Sequence, residues 1–245
     1  MEKNNYIPHC PDPEKYVLVN TKEGSFWRRK RGSVKPAVLN AALKRNTKSL
    51  SIASPAASNI VDRLQHFIKG METGRLFSRI SGKLVKSLNA SGEISFAGLE
   101  GFDIQKNYPL PKLYICHYKI LRKKNEMIIN IEADPYNVKP KMDKYITGYF
   151  FELVVIYGDP TDINKLRVDG EVSGNYPVEI PHDRDRLEYC RLSVQLPSGN
   201  IPWMMLLKLS FVEDNERPVE LPKYHAMKVV KVGNGIPVSQ IDEDV

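Results

Sequence analysis

Near residue 90 the hydrophobic period of this chain changes from about 3.6 to 2, and that switch restricts the fold more than any other feature of the sequence. Before it, Ile60, Val61, Leu64, Phe67 and Ile68 fall on one face of about 120° when successive residues are turned by about 100°. After it, aromatic and β-branched runs are separated by Pro, Gly, Asn and Asp. Helices followed by strands, with no helical pattern between the strands, predict an α+β chain with antiparallel pairing. The expected architecture is an N-terminal hairpin and about three helices followed by an antiparallel two-sheet β-sandwich.

The elements follow from local signals. Residues 1–15 contain Pro8, Pro11 and Pro13 and are expected to be a mobile arm. Residues 16–92 read as a basic hairpin plus helical region, the hairpin pairing 16–20 with 25–29 around a turn at 21–24. Three helices are expected, over 37–50, from Ser54 and Pro55 to Gly70, and over 74–89 with Leu76, Phe77, Ile80, Leu84 and Leu88 on one side. Residues 93–233 read as the β-sandwich, with strands at about 114–121, 126–133, 148–157, 164–168, 187–196, 203–213 and 225–232. Hairpin turns are expected at 122–125 and 197–200. Residues 234–245, with Asp242, Glu243 and Asp244, read as an acidic disordered tail.

Charge divides along the same line. Residues 1–90 carry 17 Lys and Arg against 6 Asp and Glu, whereas the whole chain is only +7, so the remaining 155 residues carry about −4. The surplus points to an anionic partner for the N-terminal region: a nucleic acid, a membrane surface or an acidic protein. Phe26 and Trp27 directly precede Arg28, Arg29, Lys30 and Arg31, with Lys35 close behind, which joins stacking faces to phosphate-neutralising cations. If the strand continues through this run, its basic side chains divide between two faces. On the third helix Arg75, Arg79, Lys83 and Lys86 project within about 80° of one another, opposite the apolar stripe.

Motifs for chemistry are absent. His9 beside Cys10 and Cys116 beside His117 lack metal-ligand spacing, because neighbours on a strand point to opposite faces, and no metal or cofactor is expected. There is no nucleophile elbow and no phosphate-cradling glycine loop. The polar group His182, Asp183, Arg184 and Asp185, followed by Glu188, is the densest in the second half, and a His beside carboxylates could be an acid–base pair; it reads first as a solvated turn. Three cysteines, Cys10, Cys116 and Cys190, do not form a disulfide framework, so no disulfides and a reducing compartment are expected. No apolar run approaches the roughly 20 residues that span a bilayer and no signal peptide is visible, so the expected location is cytoplasmic.

Several segments stand out by their order and wording. They are Phe26, Trp27, Arg28, Arg29, Lys30, Arg31 and Gly32, then Lys35 and Pro36 opening a helix, then a small-residue helix over 54–60. Arg75, Leu76, Phe77, Ser78 and Arg79 follow, leading into Gly82, Lys83, Leu84, Val85 and Lys86; Leu99, Glu100, Gly101, Phe102, Asp103 and Ile104 then precede Tyr108, Pro109 and Leu110. In these segments, over about residues 16–115, the chain resembles an uncharacterised family of proteins from Bacteroidetes bacteria. The resemblance implies a cytoplasmic or assembly-associated bacterial protein, and supplies no catalytic residue because that family has no established activity.

The leading expectation is therefore a non-enzymatic interaction or structural protein. Its basic N-terminal region would engage an anionic macromolecule or a neighbouring subunit through Phe26, Trp27, Arg28, Arg29, Lys30, Arg31, Lys35, Arg75, Arg79, Lys83 and Lys86. A second reading is a sandwich module binding a carbohydrate or peptide through Trp203, Tyr149 and Tyr157, which requires exposed rings. The third is a nucleic-acid-binding protein proper, or an enzyme built on His182, Asp183 or Glu188 in a concave pocket.

Overall fold

A computed structural model describes residues 9, 12–21, 24–30, 41–88, 93–123, 125–139, 143–178, 188–197, 199–213 and 217–233. The chain divides into two compact units, residues 1–46 and 47–245. In the first, β1 (Tyr16–Thr21) pairs antiparallel with β2 (Gly24–Arg29), as the β-branched and aromatic run on each side of a turn predicts. Gly24 takes a φ of +143°, outside the range of an ordinary L residue, which lets the chain reverse there. Most of the arm expected over 1–15, and all of the tail expected over 234–245, lie outside the described residues.

The second unit is α+β, with all its sheet pairing antiparallel. A long strand, β5 (Ile146–Tyr157), lies between β9 (Trp203–Glu213) and β6 (Arg167–Val172), and β10 (His225–Gly233) continues the sheet beyond β9; the two-residue β7 (Tyr176–Pro177) also pairs with β5. A second sheet has the order β3 (Tyr118–Lys123), β4 (Glu126–Ala133), β8 (Glu188–Gln195). With the N-terminal hairpin the described residues thus form three sheets.

Each face of the larger sheet is buried against a different partner. Phe151, Leu153, Leu207 and Leu209 share a core with Met127, Ile129, Leu192 and Val194 of the smaller sheet. Val154, Ile156, Met204 and Leu206 share another with Ala56, Ile60 and Leu64 of α1 (Ala41–Leu64) and Leu76, Ile80 and Leu84 of α2 (Leu76–Ser87). Both faces apolar is why β5 and β9 read as nearly continuous hydrophobic runs. The outer edge of β10 is closed by the segment 101–104: Gly101 and Ile104 donate backbone N–H groups to Val229 and Met227, and Val229 donates to Phe102.

Three expectations change. The first and second helices are one, since α1 runs through Pro55 without ending. Proline in a helix interior costs about 3 kcal/mol, but Ala53, Ala56, Ala57, Ile60 and Leu64 are wholly buried on that helix, and burial of this face opposes the break. Phe77 is 44 % exposed rather than part of the apolar stripe of α2, which consists of Leu76, Ile80 and Leu84. Finally, Pro197, Gly199 and Asn200 do not close a hairpin. β8 pairs with β4, and β9 with β5 and β10, so this connection passes from one sheet to the other.

Candidate functional site

The basic run begins on the hairpin, and strand alternation sorts it. The register sets Val17 opposite Arg28, Leu18 opposite Trp27 and Val19 opposite Phe26. One face therefore carries Val17, Val19, Phe26 and Arg28, the other Tyr16, Leu18, Trp27 and Arg29. Phe26 is 49 % exposed, and Arg28, Arg29 and Lys30 are exposed. Each face thus pairs one aromatic ring with an arginine two residues on, about 7 Å along the strand. Arg31 and Lys35 lie outside the described residues.

On α2, in the second unit, the expected four-residue basic face is reduced to three. Lys83 and Lys86 are exposed, and Arg75, also exposed, precedes the helix in a left-handed conformation with φ 59°. Arg79 turns away from solvent. Its guanidinium donates to the carbonyl of Ile104 at 2.9 Å and to that of Asp103, and lies 4.6 Å from the centre of the Phe102 ring. Burial lowers its pKa from the usual arginine value, while the Asp103 charge opposes the shift. The cause is local: the segment that closes the edge of β10 passes beside α2 with two carbonyls that Arg79 satisfies.

A second concentration of polar groups lies where the helix layer ends. The helix-facing side of the larger sheet is apolar at Val154, Ile156, Met204 and Leu206, then changes to Glu152, Lys208, Ser210 and His225. Above these residues α1 has given way to turns, and Gly70, with φ +83°, lies so close that a Cβ there would come 3.2 Å from Nε2 of His225. Between them is a cleft of about 420 Å³ whose walls include His66, Lys69, Phe150 and Glu220.

Its buried groups satisfy one another. Nε2 of His225 faces the carbonyl of Val219, which can only accept, so this nitrogen carries the proton. Nδ1 then accepts from the Ser210 hydroxyl at 3.0 Å. Burial pulls the His225 pKa below the usual value, the Val219 hydrogen bond opposing and the Lys208 charge assisting that shift. Gln105, fully buried, accepts from the Glu72 N–H at 2.8 Å and donates to the carbonyls of His225 and Pro222. Lys208 and Glu152 form an ion pair at 2.8 Å. A serine hydroxyl beside a neutral imidazole has the composition of a nucleophile and its base. Ser210, however, is wholly buried, which leaves no approach for an electrophile, and the geometry is that of a polar staple holding residues 217–225 to the sheet. Sequence reading missed this group. The signal was the interruption of an apolar run by Lys208 and Ser210; Gln105 carried none.

The other expected residues are placed as follows. Trp203 and Tyr149 are buried and Tyr157 packs partly buried against the core, so these three do not form a row of exposed rings. An exposed ring is found instead at Tyr189, 68 % exposed on the outer face of the smaller sheet, where it borders a shallow groove of about 590 Å³ with His117, Lys119, Asn130, Glu132 and Arg191. His182 and Asp183 lie outside the described residues, and Glu188 opens β8. Cys116 and Cys190 are free thiols; burial pushes the first up to about 12 and raises the second, which keeps both protonated. Among the described residues no group of three or more His, Cys, Asp or Glu is arranged to hold a metal ion, and no helix is long and apolar enough to cross a membrane. In comparisons with known proteins, no family model, no curated protein and no solved structure matches this chain.

Proposed function

We propose that this chain is a non-enzymatic interaction protein whose N-terminal hairpin engages an anionic macromolecule, with single-stranded nucleic acid as the partner that its chemistry fits best. The observation that carries the reading is the pairing of Phe26 with Arg28 on one hairpin face and of Trp27 with Arg29 on the other, with Lys30 next in line. Bases stack on aromatic faces without regard to sequence, and each cation that neutralises a phosphate releases counter-ions. The second unit, with its sheets packed as a sandwich beneath a helical layer, serves in this reading as the scaffold that carries the hairpin. Arg75, Lys83 and Lys86 are a second, weaker set of phosphate contacts, and the protein works in the cytoplasm. A neighbouring subunit with an acidic surface is the competing partner.

The test is fluorescence anisotropy with short single-stranded DNA and RNA at about 50 mM and about 200 mM salt, the range over which phosphate contacts weaken steeply. The expected result is binding at low salt that falls as salt rises, and that drops on the order of tenfold or more when Arg28, Arg29 and Lys30 are all replaced by Ala. No binding at low salt, or binding indifferent to the triple replacement, overturns the nucleic-acid reading.

A further inference from the structure

The smaller sheet has one edge that no described segment covers. On the β8 side, the Glu171 carboxylate of β6 accepts the backbone N–H of Ser193 and so blocks a peptide there. On the β3 side, β4 is the only strand paired with it among the described residues. The Glu132 N–H donates to the His117 carbonyl at 3.0 Å, which sets the alternation of the β3–β4 ladder. Hydrogen bonds to β4 then belong to residues 117, 119, 121 and 123, and the N–H and C=O groups of Tyr118 and Ile120 point to the open side.

Side chains along this edge are sorted in the same way. Tyr118 and Ile120 turn toward the core side, yet Tyr118 remains 39 % exposed and Ile120 only partly buried against the core. Lys119 and Lys123 turn to the outer face and are exposed. Lys119 is followed across the sheet by Asn130 and then Arg191, so that line holds two cations and no acid, whereas Lys123 stands opposite Glu126.

We infer that β3 is a docking edge for an extended segment of a partner protein in which acidic and apolar residues alternate. The backbone groups of Tyr118 and Ile120 would supply the ladder, the apolar side chains would cover Tyr118 and Ile120, and the acidic ones would lie beside Lys119 and Lys123. Lysines on an edge commonly discourage pairing, and here they do so selectively. Two copies of β3 laid antiparallel with Lys119 opposite Lys123 would bring lysines together, and like charges across strands repel. An acidic strand meets no such barrier.

The experiment uses the full chain and two labelled octapeptides, one alternating valine and glutamate, the other valine and lysine. Anisotropy is expected to show binding of the glutamate peptide alone, weakening with salt. Hydrogen exchange with that peptide bound is expected to slow the amides of Tyr118 and Ile120. The double variant Lys119→Glu/Lys123→Glu alters two exposed side chains, and circular dichroism checks that it folds; it is expected to reverse the preference by tenfold or more. Variants of Arg28, Arg29 and Lys30 are expected to leave peptide binding unchanged, which separates this edge from the hairpin. Failure to bind, equal binding of both peptides, an unreversed preference, or unchanged exchange at Tyr118 and Ile120 overturns the inference.

Discussion

Lys208 and Glu152 stand directly opposite each other on β9 and β5, 2.8 Å apart and each with only 12 % of its side chain exposed. Two charges on the helix-facing side of a largely apolar sheet are tolerated because each compensates the other. Removing one partner leaves an uncompensated buried charge, at a cost of about 3 kcal/mol, whereas replacing both with apolar residues of similar size is close to neutral. In urea denaturation Glu152→Gln is expected to lose about that amount, and the double variant Glu152→Leu/Lys208→Met to stay within about 1 kcal/mol of the parent. Equal losses in the two variants would show that the pair adds stability in its own right.

His225 gives the fold a dependence on pH. Its pKa is lowered in the folded chain, so the unfolded chain binds the proton more readily. The stability from this group is complete above about pH 6.5, its unfolded value, and is lost as pH falls from there toward the folded value. Urea midpoints at about pH 7.5 and about pH 5.5 are expected to show the lower midpoint at the lower pH, the difference being attenuated in His225→Gln. A midpoint that rises on acidification contradicts the buried neutral imidazole.

Arg79 and Lys83 occupy the same side of α2 but have different work. Arg79→Ala leaves the carbonyls of Asp103 and Ile104 without that donor and removes the cation from Phe102, so thermal unfolding is expected to register a loss of about 2 kcal/mol. Lys83→Ala, at an exposed position, is expected to stay within about 0.5 kcal/mol. If Arg79→Ala leaves stability unchanged, its contacts with 102–104 do not hold α2 in place.

Much of the secondary structure was legible because it obeys local periods. β4 (Glu126–Ala133) and β9 (Trp203–Glu213) match the residues that alternation and turn signals marked. What was not legible depends on residues distant in sequence. Pro55 looked like a helix start because its ring blocks the preceding turn, but Ile60 and Leu64 bury against Val154 and Leu206, and that long-range contact keeps one helix continuous. Arg79 looked solvated because spacing on a helix says nothing about the carbonyls brought beside it. Lys208, Ser210 and His225 looked like ordinary strand residues, and become a group only because β9 and β10 pair under the end of α1. The hairpin was the most legible part of the site: alternation alone divides Phe26 and Arg28 from Trp27 and Arg29, and the register does so.

The proposed neutralisation of phosphates by Arg28, Arg29 and Lys30 is read from the slope of log affinity against log salt for a single-stranded oligonucleotide. Each phosphate contact on a single strand contributes about 0.7 to that slope, so replacing all three residues with Ala is expected to reduce it by about 2. A slope unchanged by the triple replacement would overturn that role, because any affinity that remained would come from elsewhere on the protein.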